Sequence, residues 1–285
     1  MTYDGPILDD HFHLNRAGLY LDAVSAFKRV GGTDLVLVHC PDFSAPPTTY
    51  DGHLQSYRNT VSMAKEVREM GIGVRVILGP HPAAFAHQFE SMPENAEQNY
   101  WDSIHSALEF IHEGEAVGIG EVGRPHWPVS DAVWQLANKL LEETMDLARK
   151  EKIPLQLHVE GESQSTYPEL GEMADRVGLD KHMLVRHYAP PDVSFANVGG
   201  LTPSVLAGSG AIDELMATYE TCSHGFFLET DYMDDPRRPG AVLGPKTVAK
   251  RTRQLLEAGL PEEVLWNTHQ DLANRIYGEY EGSGS

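Results

Sequence analysis

Ile7-Leu8-Asp9-Asp10-His11-Phe12-His13-Leu14 starts as an apolar run suited to a buried strand and ends in two histidines one residue apart. Side chains of a strand alternate with a period of two, so both imidazoles fall on one face and can aim at one point. Neutral imidazole suits zinc and related divalent ions, so such a strand end can supply part of a metal site. A chance His-x-His on a surface strand is the ordinary alternative. What decides between them is how the run recurs along the chain.

Further strand-like runs follow at Asp34-Leu35-Val36-Leu37-Val38-His39, Val74-Arg75-Val76-Ile77-Leu78, residues 116–123, Ile153-Pro154-Leu155-Gln156-Leu157-His158, Met183-Leu184-Val185-Arg186-His187, residues 195–201 and residues 225–231. Between them lie helix-like segments at 17–30, 52–70, 94–112, 131–151, 168–177 and 210–221, with two more after Gly244 and Pro261. Eight strand-helix units, most of them bounded by Gly or Pro, predict a parallel sheet covered by helices and closed into a (β/α)8 TIM barrel. An open doubly wound sheet is the alternative, but no Gly-x-Gly-x-x-Gly turn follows the first strand. The 285 residues allow one barrel domain over 1–280, with 281–285 as a flexible or cloning-derived tail.

The formal charge of −20, from 42 acidic against 22 basic residues, is spread over the chain without long runs. Such a surface repels polyanions and disfavours a broad face for duplex nucleic acid. No apolar run reaches the roughly 18 residues of a membrane span, and no secretory signal begins the chain. Cys40 and Cys222 form no metal or disulfide spacing, so a reducing, cytoplasmic setting without membrane association is expected.

In such a barrel, chemistry gathers where strands end at their carboxyl side. Residues with ligand chemistry stand there in five units: His11 and His13, Glu121, His158, His187 and Asp231. Four histidines and two carboxylates suit two divalent ions (zinc, manganese or magnesium), with Glu121 placed to bridge them. Taken singly, His158 or His187 would be an ordinary core histidine, and Asp231 a turn cap. Glu121, set between Gly120 and Val122-Gly123, is harder to explain that way, because a lone buried carboxylate costs several kcal/mol.

Five motifs in order carry a resemblance: Asp9-x-His11-x-His13-Leu14, Gly79-Pro80-His81-Pro82, Gly120-Glu121-Val122-Gly123, Pro154-Leu155-Gln156-Leu157-His158 and Leu228-Glu229-Thr230-Asp231. Together they resemble the TatD family of metal-dependent hydrolases, within the amidohydrolase superfamily, over almost the whole chain. Asn274 resembles the family's late Asn. The resemblance implies a (β/α)8 barrel with exonuclease-like deoxyribonuclease activity. It implies that His11, His13, Glu121 and Asp231 hold one ion, and Glu121, His158 and His187 the other. Asp231 would be the general base and His81 would orient a substrate oxygen, with Asp9 and Glu229 supporting the histidines.

Departures from the family pattern bear on the substrate. Arg124-Pro125-His126-Trp127 stands where Leu-Asp-Tyr is common, and Glu160 stands where an Arg usually follows the fifth-strand histidine. Arg124, Arg237 and Arg238 could restore a phosphate clamp, while solvated surface arginines are the ordinary and favoured alternative. The first expectation is therefore a two-metal phosphodiesterase acting on single-stranded DNA ends or small nucleotides. An amide, ester or lactone hydrolase on the same metals is the second, and a barrel retained for binding alone is the third.

Overall fold

The computed structural model describes residues 3–161 and 164–279, so the tail at 281–285 lies outside the described residues. Strand β1 (Leu8–Phe12) is buried along its whole length, as a central strand with both faces covered must be. It is followed by α1 (Leu21–Arg29), β2 (Asp34–Val38), α2 (Tyr50–Glu69), β3 (Gly73–Leu78), α3 (Pro82–Ser91), α4 (Pro93–His112) and β4 (Gly118–Gly123). The second half runs α5 (Asp131–Glu151), β5 (Leu155–His158), α6 (Thr166–Val177), β6 (Leu184–Ala189), α7 (Phe195–Val198), β7 (Thr202–Leu206), α8 (Ala211–Thr218), β8 (Phe227–Glu229), α9 (Thr247–Glu257), α10 (Glu262–Trp266) and α11 (Leu272–Tyr277).

All eight strands are parallel and ordered β1 to β8, each beside its sequence neighbour, which makes this a (β/α)8 TIM barrel. The ring closes between β8 and β1 by a different device. Phe12 and Tyr232 form a single bridge, and the His13 amide donates to the Tyr232 carbonyl at 2.8 Å. Beside it the Asp9 carboxylate accepts from the Thr230 amide at 2.9 Å and the Thr230 hydroxyl at 2.7 Å. A side chain thus satisfies groups that a strand ladder would otherwise pair.

Local sequence sets the helix starts. Thr49 accepts from the Gly52 amide to cap α2, Ser130 accepts from Val133 to cap α5, and the His81 ring caps α3 with Pro82 at its first turn. Inside the barrel, Leu8, Val36, Val38, Ile77, Val185 and Phe227 pack against Leu272, Ala273, Ile276 and Tyr277. Phe227 stacks on Tyr277 at 5.6 Å between centroids, so α11 plugs one end and leaves chemistry to the other.

Three elements differ from the sequence-based expectation. Of residues 195–201, read as the seventh strand, Phe195–Val198 form the short helix α7, and β7 follows at Thr202–Leu206. Gly199 and Gly200 both have positive φ, at 59° and 95°, which breaks any strand through them. Helix α3 has no counterpart among the expected segments. Helix α1 starts at Leu21 rather than at residue 17. The Asp234 carboxylate holds the preceding turn by accepting from the amides of Asn15, Leu19 and Tyr20 at 2.7–3.0 Å.

Candidate metal centre

β1 delivers His11, and one residue past its end the chain delivers His13; both side chains are almost fully buried. Their Nε2 atoms lie 3.1 Å apart. His13 Nδ1 donates to the Val38 carbonyl at 2.9 Å, which leaves the Nε2 lone pair facing the mouth. The two rings are brought together as the strand alternation predicts.

Glu121, from β4, stands opposite. Its Oε1 is 3.5 Å from Nε2 of both His11 and His13, while Oε2 is 2.7 Å from His158 Nδ1 and 3.0 Å from His187 Nε2. Asp231 adds an Oδ1 3.6 Å from His13 Nε2 and 3.9 Å from His11 Nε2. It sits just past β8 at a φ of 47°, a left-handed conformation that a non-glycine residue adopts at a cost. Ligands about 2.1 Å from a tetrahedral ion are roughly 3.4 Å from one another, and these separations scatter around that value. The donor set therefore fits divalent cations, which His11, His13, Glu121, His158, His187 and Asp231 would hold.

The electrostatics agree with a site built for cations. Burial would push the Glu121 carboxyl up, but His81, His187 and His11 hold it well below the usual range. Burial also opposes protonation of His187 and His13. The carboxylates Glu121 and Glu229 nevertheless raise His187, while Asp231 and Glu121 raise His13. Negative charge in this pocket is thus balanced by whatever positive charge is available.

Neighbouring groups orient the ligands. Glu229 Oε1 accepts from His187 Nδ1 at 3.3 Å and from the Tyr188 amide at 2.8 Å, as expected for a carboxylate supporting a ligand histidine. Asp9 acts differently from expectation: its oxygens go to Thr230 across the barrel seam and, at 3.5 Å, to the His11 amide, rather than to an imidazole. Burial pushes its carboxyl up to about 8, against the pull of the Thr230 bonds.

His81 reaches the same bowl, with Nε2 3.7 Å from Glu121 Oε2. Its Nδ1 accepts from the Ala83 amide at 2.9 Å, so Nε2 carries the hydrogen and presents a donor, not a ligand lone pair.

Arg124 is placed otherwise than a substrate clamp requires. Its guanidinium is 1% exposed, pairs with both oxygens of Glu160, donates to Glu169 at 2.6 Å, and lies over the Trp134 ring at 4.9 Å. Glu160, which stands where the family pattern has an Arg, is the partner of this arginine. The loop it belongs to is tied down further by Arg186, which donates to the carbonyls of Glu160 and Gly161. Arg237 and Arg238 are exposed and share the Asp235 carboxylate.

One close neighbour was noted in the sequence only as a departure from pattern. His126 Nδ1 lies 2.6 Å from His158 Nε2, the ring nitrogen turned away from Glu121. Its signal was there, a histidine three residues after Gly123, but nothing in the linear order ties it to β5.

A closed parallel barrel with clustered histidines and carboxylates at one mouth is the architecture of the amidohydrolase superfamily. Residues 8–278 match the family model described as TatD related DNase, and the chain belongs to that family of hydrolases. It is 33% identical over 279 residues to an uncharacterized protein of Methanocaldococcus jannaschii, covering 95% of each chain. Among solved structures it is similar to a TatD-like protein from Archaeoglobus fulgidus, with a TM-score of 0.65, 16% identity, and 95% and 99% of the two chains covered. It is also similar to the phosphotriesterase homology protein of Escherichia coli complexed with phosphate, with a TM-score of 0.63, 14% identity, and 97% and 100% covered. Among the described residues no helix is long and apolar enough to cross a membrane.

Proposed function

We propose that this hydrolase is a two-metal phosphodiesterase that acts on single-stranded DNA ends or small nucleotides. The observation that carries the reading is the division of Glu121, whose two carboxylate oxygens face two separate ligand sets. Bound there, zinc, manganese or magnesium ions would supply Lewis acidity and lower the pKa of water.

The chain's own groups do the rest. Asp231, close to His11 and His13, takes a proton from the attacking water as its oxygen bonds to phosphorus. The bond from phosphorus to the leaving alcohol breaks, and the proton returns to that alkoxide, giving a phosphomonoester and an alcohol. His81 donates from Nε2 to a non-bridging oxygen, while Val38 and Glu229 keep His13 and His187 turned toward the mouth. Arg124 has no part in this beyond holding the loop that carries Glu160. A cytoplasmic setting, without a membrane partner, goes with this reading, and both cysteines are free.

The test is hydrolysis of a labelled single-stranded oligonucleotide and of a dinucleotide by manganese-loaded protein, with metal content measured in parallel. Absence of phosphodiester cleavage in fully loaded protein would defeat the reading. A second reading, a lactone or other ester hydrolase, is favoured by one observation: no arginine among the described residues stands free beside Glu121 to hold a phosphate, since Arg124 is committed to Glu160 and Glu169. A lactone panel run beside the phosphodiesters chooses between them.

A further inference from the structure

A ligand histidine needs its second ring nitrogen fixed, because a neutral imidazole that lends one lone pair keeps its hydrogen on the other nitrogen. His13 meets this through the buried Val38 carbonyl and His187 through the buried Glu229 carboxylate. His158 differs. Its Nδ1 lies 2.7 Å from Glu121 Oε2 and 2.9 Å from His187 Nε2, so this is the nitrogen aimed at a cation. Its Nε2 points out of the cluster and lies 2.6 Å from Nδ1 of His126, an exposed histidine on the loop between β4 and α5.

Two ring nitrogens this close must share one hydrogen, since facing lone pairs repel. With a cation on Nδ1 of His158, that hydrogen belongs to His158 Nε2, and His126 Nδ1 accepts it. The contact is built into the backbone rather than left to two side chains. Gly123 pairs with His158 across β4 and β5, and the Arg124 amide donates to the His158 carbonyl at 2.9 Å, so the loop leaves the barrel in register with the ligand. Arg124 is locked to Glu160 and Glu169, and Pro125 and Pro128 restrict the backbone around His126. Beyond it the Trp127 ring stacks on His87 of α3 at 6.1 Å between centroids. His126 also falls within Arg124-Pro125-His126-Trp127, the stretch where this chain departs from the family pattern.

We infer that His126 is a positioning residue for the metal centre: it accepts the Nε2 hydrogen of His158, fixes the tautomer and ring orientation that turn Nδ1 inward, and so raises the affinity for the ion that His158 and His187 hold. This rests on the two-metal reading above and adds to it a contact from outside the five motifs.

The experiment titrates metal-free protein with manganese by calorimetry, in the parent, His126→Leu and His126→Asn. Leucine and asparagine branch at the same atom, but only asparagine places an acceptor, Oδ1, where Nδ1 stood. His126→Leu is expected to weaken one of two bound ions about 10–100-fold and leave the other unchanged, while His126→Asn keeps both near the parent affinity. His158→Ala should lose the same ion. Unchanged affinity in His126→Leu, equal weakening in the two variants, or equal weakening of both ions overturns the role of His126. Because His126 is exposed, neither substitution should lower the melting temperature of the metal-free protein, and a weakening that tracks such a fall would also overturn it. A parent that binds a single ion sinks the two-metal reading instead. The role of His126 is then decided on that ion, standing if leucine weakens it and asparagine does not, and falling if the two variants agree.

Discussion

Arg124 and Glu160 are joined by two hydrogen bonds, one from Nε at 3.0 Å and one from a terminal nitrogen, with the guanidinium 1% exposed and the carboxylate side chain 22% exposed. The pair is asymmetric. Removing Glu160 leaves a positive charge that cannot reach water, whereas removing Arg124 leaves a carboxylate that can. Glu160→Ala is expected to destabilise the fold by about 2–3 kcal/mol, Glu169 sparing part of the penalty of a broken buried pair. Arg124→Met should cost less, because Trp134 still packs on its stem. Urea unfolding of both variants checks the order, and a larger loss in Arg124→Met would contradict it.

Asp231→Asn keeps an oxygen near His11 and His13 but no longer accepts a proton. A loss in kcat of about 10²–10⁴-fold is expected, with metal content reduced much less than activity. His158→Ala should lower both together, since Glu121 Oε2 then keeps only His187 at ligand distance from the proposed set. Steady-state kinetics with metal analysis on the same samples separates the two outcomes.

Glu229→Gln retains the shape of the side chain but weakens the acceptor for His187 Nδ1. Metal affinity is expected to fall about 10–100-fold with little change in the reaction rate of fully loaded protein. Competition with a chelator reads the first quantity and saturating metal the second. A rate defect that persists at saturation would place Glu229 in the reaction itself.

His269, far in sequence from the mouth, offers a test of pH dependence. Its ring is buried between the Leu8 amide, which donates to Nδ1 at 3.1 Å, and the Thr252 hydroxyl at 2.9 Å from Nε2. Burial lowers its pKa from 6.5 to about 4, so between those values the unfolded chain binds more protons than the folded one. Its contribution is fully present above about 6.5 and is lost as pH falls toward about 4, on the order of 3 kcal/mol in all. His269→Gln should be less stable than the parent at pH 7 and approach it near pH 4. Parallel unfolding curves across that range would refute the assignment.

The barrel and the cluster of histidines and carboxylates at its mouth were legible because their signals are local. A strand-helix rhythm needs only hydrophobic periodicity, and His11, His13, Glu121, His158, His187 and Asp231 each stand at a strand end that can be read in one dimension. The seventh strand was not legible, because Pro203 argues against a strand while it pairs with Arg186 on β6, and the apolar residues of α7 imitate one. Arg124 was misjudged for another reason: whether an arginine is free depends on what folds against it, and Glu160 and Glu169 lie 36 and 45 residues away. The closeness of His126 to His158 is likewise a product of neighbouring strands, whereas the donor state of His81 is fixed locally, by an amide two residues on.

The seam between β8 and β1 has an implication for biosynthesis. Asp231 is made more than two hundred residues after His11 and His13, which it faces. Until the ribosome has released that late segment, Asp9 has no Thr230 to hold and the ring stays open. A product cut short before Thr230 would carry most of the imidazoles but lack Asp231 and the bonds that close the ring.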